Sequence, residues 1–428
     1  MKIAFYTLGC KANQYDTQAL EALARERGHS IVPFDGPADC YVINTCTVTA
    51  ESDRKSRQII RSAKRQADGA LVAVCGCFSQ VSPDAAKVLG ADLVMGTRDR
   101  ALFLEKLESL EKGRQTVEVS RYTPALPFEI LPAGGYSRRT RALLKVEEGC
   151  DNYCSYCIIP YSRGHIRSLP IADAKEAAKK LQTEGFREIV LTGIEISSYG
   201  RDFKDGTDLC ALLLALCEAA PGMRLHLGSL EPRTVTRAFC EALAPHPEIL
   251  PHFHLSLQSG CDATLARMRR RYDTARFYES VALLREYFPN CGVTTDLITG
   301  FPGEDEEEFS KTLDFIRRCD FSQMHVFPYS VRPGTPAAAM EQNSRAVKHT
   351  RAKRAISIAE EMHASFLSAQ VGRTLSVLFE EPQDGVQIGH SENYLPVRVE
   401  CAEELHGEVK NVRIERADSE SLYGSIIM

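Results

Sequence analysis

At 428 residues, 44% hydrophobic and 25% charged, the chain is long enough for two or three domains with cores of their own. A formal net charge of −5 argues against unspecific polyanion binding by the whole surface while leaving room for a local basic patch. Fifteen cysteines point to metal or redox chemistry, because disulfide frameworks belong to small secreted domains. No apolar run reaches the roughly 18 residues of a membrane span, and Lys2-Ile3-Ala4-Phe5-Tyr6 runs straight into a strand-like segment, so the expectation is a cytoplasmic protein with no membrane partner.

Residues 1–112 alternate apolar runs (Ile3–Leu8, Ile31–Phe34, Tyr41–Asn44, Leu71–Val74, Leu93–Met95) with helical stretches. Gln14–Arg27 is closed by Gly28, and Pro83–Leu89 is opened by Ser82 as N-cap. The alternation predicts βαβ units and a doubly wound parallel sheet. Cys10 follows the first run, Cys46 the third and Cys77 the fourth, so all three reach the carboxyl edge of the sheet, where open α/β sheets bind ligands. That convergence reads as the metal ligands of a [4Fe–4S] cluster with one open iron; the other reading is three unrelated loop cysteines. Cys40 and Cys75 read as core thiols.

Residues 113–137 hold several Gly and Pro with little periodicity and read as a linker. Arg138, Arg139 and Arg141 come next, beside the strand-like Ala142–Val146, and are candidates for phosphate contact or for a solvated face. The strand leads through Gly149 into Cys150-Asp151-Asn152-Tyr153-Cys154-Ser155-Tyr156-Cys157, a C-x3-C-x2-C spacing. Three thiolates this close can hold three corners of a [4Fe–4S] cluster whose fourth iron stays free to activate something. The competing reading is zinc, for which His165 is the local fourth ligand.

With the following Ile158-Ile159-Pro160-Tyr161-Ser162-Arg163-Gly164, this stretch resembles the cluster motif of the radical S-adenosylmethionine (SAM) enzymes. The resemblance implies that SAM chelates the open iron on Cys150, Cys154 and Cys157, and that one electron splits it into methionine and a 5′-deoxyadenosyl radical. Strand-like runs at Leu143–Val146, Glu188–Thr192, Arg224–Leu227, Phe253–Leu257, Val293–Ile298 and Met324–Phe327 predict six βα units over residues 138–366. Six units make a partial barrel, as in that family, and barrel function sits at the carboxyl ends of strands. By the resemblance, Tyr156, Gly193, Glu195, Gln258, Ser259, Asp296, Phe327 and Tyr329 are the candidate SAM-binding and cavity residues. Arg269, Arg270 and Arg271 are candidates for the SAM carboxylate or for nucleic acid.

Residues 344–366 read as a helix with a basic first half, and short alternating runs beyond Gly372 predict a small β-barrel over 367–428. That barrel resembles the TRAM domain, an RNA-binding module, although its five Lys/Arg against eleven Asp/Glu make a poor polyanion surface. The three parts in this order resemble the methylthiotransferase family of radical SAM enzymes over essentially the whole chain. Thr7-Leu8-Gly9-Cys10-Lys11-Ala12-Asn13-Gln14-Tyr15 most resembles the branch that modifies N6-threonylcarbamoyladenosine in tRNA.

The resemblance implies catalysis through both cysteine triads and two SAM per turnover: hydrogen is taken from C2 of adenosine 37, sulfur comes from the cluster on Cys10, Cys46 and Cys77, and a second SAM supplies the methyl group. Implied partners are the tRNA anticodon stem-loop, an electron donor such as flavodoxin or ferredoxin, and a sulfur donor. Three other readings stay open: isopentenyladenosine-37 in tRNA, a ribosomal-protein aspartate, and a noncatalytic iron–sulfur RNA-binding protein.

Overall fold

The computed structural model describes residues 1–66, 69–111, 113–120, 122–123, 126–134 and 140–427. The apolar runs of the first part form β1 (Lys2–Thr7), β2 (Ser30–Val32), β3 (Cys40–Thr45), β4 (Leu71–Gly76) and β5 (Leu93–Met95). A sixth strand, β6 (Thr116–Glu118), lies in the segment expected to be a linker and pairs with β5. It was hidden because three residues between glycines and prolines are too short to show a period of two. All six strands are parallel in the order β2-β1-β3-β4-β5-β6. The order reverses between β1 and β3, and that switch point opens a crevice at the carboxyl edge.

The helix Lys11–Glu26 is buried on nearly every side because two bodies share it. Leu20 and Ala24 pack on the parallel sheet, while Tyr15 and Ala19 join the core of the second body. That second body starts with β7 (Arg141–Lys145), and β8 (Glu147–Glu148) pairs with β9 (Arg167–Ser168) in a short ribbon. It continues through β10 (Glu188–Thr192), β11 (Arg224–His226), β12 (His252–Gln258), β13 (Gly292–Thr299) and β14 (Gln323–Pro328). These are the six expected barrel strands, arranged as two three-stranded parallel sheets, β11-β10-β7 and β12-β13-β14. Capping fixes several of the outer helices: the Asp305 carboxylate accepts from the Glu308 amide, with Glu306–Glu308 in the first turn and Arg317 and Arg318 in the last, as the helix dipole favours.

The helix Arg345–Ser368 leads to β15 (Thr374–Phe379), β16 (Val386–Ser391), β17 (Pro396–Glu400), β18 (Val409–Ala417) and β19 (Leu422–Ile426), which close into a barrel. This barrel plugs the amino-terminal end of the half-barrel. Tyr394, held at φ 68°, places its ring 4.4 Å from His226, 4.9 Å from His252 and 5.0 Å from His390, centroid to centroid. A β-carbon on Gly292 would lie 2.6 Å from the Asn393 carbonyl oxygen, so only glycine lets the two backbones approach this closely.

Tyr394→Ala is expected to cost about 2–3 kcal/mol of docking through lost ring burial and stacking. Limited proteolysis should then cut between residues 369 and 373 faster than in the parent, and unchanged cleavage would refute the docking role.

Candidate active site

Cys10 caps the helix Lys11–Glu26, Cys46 follows β3 and Cys77 opens the helix Cys77–Val81, so all three stand at the carboxyl edge of the parallel sheet. Cys10 makes no side-chain cap to its helix, and the Ser79 amide in the first turn of the other donates to Thr45 Oγ1 at 3.4 Å. Gly9, at φ +103°, has no alternative: a β-carbon there would lie 2.8 Å from Cys46 Sγ. Burial raises the Cys46 thiol and pushes Cys77 up to about 11, so a metal binding here must displace protons. Cys40 and Cys75 pack into the sheet core as expected.

The second triad follows β8. Gly149, at φ +88°, packs so tightly that a β-carbon would meet the His165 carbonyl oxygen at 2.0 Å. Gly149→Ala is therefore expected to displace the Cys150 loop and lower the iron held by the reconstituted protein, by about half if each triad holds one cluster; full iron content would refute this. Burial raises Cys150 and pushes Cys157 up to about 12. Arg270 Nη1 donates to Cys154 Sγ at 3.1 Å while its guanidinium lies over the Tyr272 ring at 4.9 Å. Of the two expectations for Arg270, the SAM carboxylate or nucleic acid, the second is corrected: its cation turns to the Cys154 sulfur on the cluster loop.

The two triads meet. Arg163, fully buried, ends the helix that begins two residues after Cys157 and donates from Nε to Cys77 Sγ at 3.3 Å. Beneath them Asp16 accepts from Arg100 at 2.6 Å, Lys145 at 2.5 Å and Arg163 at 2.9 Å, and Glu148 accepts from Lys145 at 2.8 Å and Arg163 at 3.0 Å. Sequence reading named Arg163 only as part of the family stretch and missed this lattice. One hint was present: an arginine six residues after Cys157, on a helix too short to need a solvated face.

At the ends of the barrel strands, a β-carbon on Gly193 would sit 2.8 Å from Glu147 Oε2, which accepts the Ile194 and Glu195 amides at 2.8 and 2.7 Å. Glu195 accepts from Ser198 Oγ and from Asn152 Nδ2 of the cluster loop at 3.5 Å. Its Oε1 is buried without a partner, and burial raises its pKa. Asp296 is oriented by a run of polar groups along the barrel interior. Glu188 lies 3.3 Å from His226, His226 2.7 Å from His252, His252 3.3 Å from Thr294, Thr294 3.0 Å from His254, and His254 3.3 Å from Asp296.

Tyr156 meets Phe301 edge to face at 6.4 Å, and Phe301 meets Tyr329 at 5.3 Å. Phe327 is 46% exposed, open to a ligand or to solvent, and Gln258 stands at φ +69°. Ser259 is fully buried, and its hydroxyl serves Thr312 and the Cys261 amide, so the structure gives it a structural position rather than a place in the cavity wall.

Arg141 is a further correction. It begins β7, at the end opposite the cluster loop, and pairs with Glu188 at 3.2 Å and with Glu380 of the terminal barrel. Its charge is thus spent inside the protein rather than on phosphate. Arg269 and Arg271 are exposed, Arg271 reaching the Asp151 carbonyl at 3.5 Å. Arg138 and Arg139 lie outside the described residues.

The donor chemistry fits two iron–sulfur clusters. Each site offers three thiols and a nearby arginine, and in neither triad do all three sulfurs lie within 4.8 Å of one another. Tetrahedral zinc would draw sulfurs to roughly 3.8 Å. Glu195 Oε1 offers an unsatisfied acceptor where SAM's amino group is expected.

Residues 144–316 match the Radical SAM superfamily, residues 2–96 match Uncharacterized protein family UPF0004, and residues 368–427 match the TRAM domain. "Threonylcarbamoyladenosine tRNA methylthiotransferase MtaB" of Bacillus subtilis is 39% identical, covering 97% of this chain and 94% of the relative. The chain belongs to the methylthiotransferase family of radical SAM enzymes. The same-named methylthiotransferase of Thermotoga maritima is 36% identical over 97% of this chain and 95% of its own. A "tRNA-2-methylthio-N(6)-dimethylallyladenosine synthase" of Alkaliphilus oremlandii is 32% identical over 100% and 93%. Among solved structures, the radical SAM methyltransferase TsrM of Kitasatospora setae aligns at TM-score 0.58 and 14% identity, covering 90% of this methylthiotransferase and 80% of TsrM, a likeness of fold.

Proposed function

We propose that the protein converts N6-threonylcarbamoyladenosine-37 of tRNA to its 2-methylthio derivative. The observation that carries this reading is the meeting of two three-cysteine edges across Arg163, which ends the helix after Cys157 and donates to Cys77 Sγ at 3.3 Å. The choice of base is supported by the threonylcarbamoyladenosine-named relatives at 39% and 36% identity, against 32% for a dimethylallyladenosine-named one.

When bound, SAM and two [4Fe–4S] clusters supply a radical that takes hydrogen from the unactivated C2 position, a sulfur atom and a methyl group, chemistry that no side chain provides. Cys150, Cys154 and Cys157 would hold one cluster and leave an iron open; Cys10, Cys46 and Cys77 would hold the other. Glu195 Oε1, which has no partner of its own, would take SAM's amino group, and Tyr156, Phe327 and Tyr329 would supply apolar surface for it. Arg163 donates to the Cys77 sulfur and Arg270 to the Cys154 sulfur, so each triad has a cation beside it. Asp296, held by His254, faces the substrate.

Anticodon-loop bases are already unpaired, so bringing one into the cavity costs little. Around the cluster loop, exposed Tyr153 and Tyr161, 5.8 Å apart edge to face, offer rings on which neighbouring bases stack, with Arg269 and Arg271 for phosphates. In this reading residues 1–112 together with β6 carry the second cluster, 138–366 the radical chemistry, and 367–428 help hold RNA. A flavodoxin or ferredoxin and a sulfur donor serve it in the cytoplasm.

The test is direct. Reconstituted enzyme with SAM and dithionite should methylthiolate an anticodon stem-loop carrying threonylcarbamoyladenosine and leave one carrying isopentenyladenosine unchanged. Turnover of the second stem-loop alone would overturn the choice of base.

A further inference from the structure

The half-barrel is weakly stitched at one place. No ladder forms between β11 and β12, and isolated bridges pair Leu225 with Ile249 and Leu230 with Leu255 across the gap. At the amino-terminal end of that seam, Cys217 on the helix Leu209–Ala219 meets His246 and Glu248 from the loop ahead of β12. One ligand atom from each lies within 4.8 Å of the other two, and no other such triad of His, Cys, Asp or Glu occurs among the described residues. We propose that Cys217, His246 and Glu248 form a zinc site that clips this seam, separate from both cluster triads.

The donor set selects the ion. A thiolate disfavours Mg2+ and Ca2+, whereas thiolate, imidazole and carboxylate together suit Zn2+ in a tetrahedron completed by water. Ligand atoms in such a tetrahedron stand about 3.3–3.8 Å apart, and the three here already lie within 4.8 Å of one another. The backbone already holds the ligands in place. Ile249 N donates to the His246 carbonyl at 3.1 Å, Leu225 N to the Glu248 carbonyl at 2.6 Å, and Leu250 N to the Leu225 carbonyl at 3.1 Å.

One carboxylate oxygen of Glu248 accepts the Gly222 amide at 3.1 Å, the outer-shell support that metal-binding carboxylates use. Cys217 is 5% exposed, so its sulfur is shielded, while His246 and Glu248 are half-buried and leave an entry from solvent. Both ligand segments precede their strands, at the end of the barrel opposite the cysteine triads. A metal there braces the strand pair that lacks a ladder without touching the chemistry.

The test uses the full chain reconstituted with iron and sulfide, incubated with one equivalent of ZnCl2, desalted, and assayed for zinc and iron by mass spectrometry. About one zinc per chain is expected in the parent and less than about 0.1 in Cys217→Ser and in His246→Gln, with iron equal in all three. X-ray absorption at the zinc edge should show one sulfur near ~2.3 Å and nitrogen or oxygen neighbours near ~2.0 Å. Zinc should also raise the unfolding midpoint of the parent and not that of His246→Gln, a loop variant that spares the buried position. Equal zinc in parent and variants, or a shell of three or four sulfurs, would place the ion on the cluster cysteines or show it to be adventitious, and the proposal would fall.

Discussion

Cys154→Ala should abolish both SAM cleavage and thiomethylation, whereas Cys10→Ala should leave SAM cleavage intact and abolish thiomethylation alone. The asymmetry follows from where the two sulfurs sit. Cys154 belongs to the loop whose open iron binds SAM in this account, so losing it removes the source of the radical and everything downstream. Cys10 stands on the other edge, at the cap of the helix Lys11–Glu26. Removing it leaves Gly149, the Glu195 loop and the Phe301–Tyr329 wall undisturbed. The readouts are 5′-deoxyadenosine by chromatography and 2-methylthio nucleoside by mass spectrometry, each expected to fall at least about 100-fold where lost, the scale of removing an essential catalytic part. A Cys10→Ala protein that still made fully thiomethylated tRNA would defeat the two-cluster account.

The second large effect is expected at Arg163. Arg163→Ala should destabilise the protein by about 3–5 kcal/mol, because it strips a shared cation from two fully buried carboxylates. Typical domains hold only ~5–15 kcal/mol in total, so the variant should unfold at markedly lower denaturant or be insoluble. Arg163→Lys keeps the charge but loses the fork that reaches Cys77, Asn13, Asp16 and Glu148 together, so an intermediate loss is expected.

The sign of the pH effect follows from the same lattice. Arg163, Lys145 and Arg100 outweigh the burial that opposes ionisation: Asp16 is held below its usual range, and Glu148 is held down to about 2 against an ordinary 4.5. Groups depressed in the folded state contribute stability that is present above the unfolded pKa and lost as pH falls through the folded one. Stability should therefore hold above pH ~4.5 and fall steeply toward pH 2, and the steepness should lessen in Arg163→Ala. Acid titrations of parent and variant with equal slopes would contradict this.

Where the chemistry was local, the chain revealed it. Cys150, Cys154 and Cys157 lie within eight positions, so spacing alone brings their sulfurs together. The apolar alternation places β5 at Leu93–Met95 and the other runs named within residues 1–366 within a residue or two of where the strands lie. Buried charge was harder to see. Asp16, Arg100, Lys145 and Arg163 come from four elements spread over 148 positions, and each alone reads as a solvated residue; only the tertiary fold pairs them. Arg141 was misplaced by polarity, since a strand running from 141 to 145 carries its first residue away from the loop that follows its last. Arg270 was expected at the SAM carboxylate or at nucleic acid, because a run of three arginines does not show that the middle one turns inward to sulfur.

The most direct measurement is nucleoside mass spectrometry of total tRNA from cells with and without this gene. The account predicts that 2-methylthio-N6-threonylcarbamoyladenosine disappears on deletion while its unthiolated precursor accumulates. An unchanged nucleoside profile would contradict it.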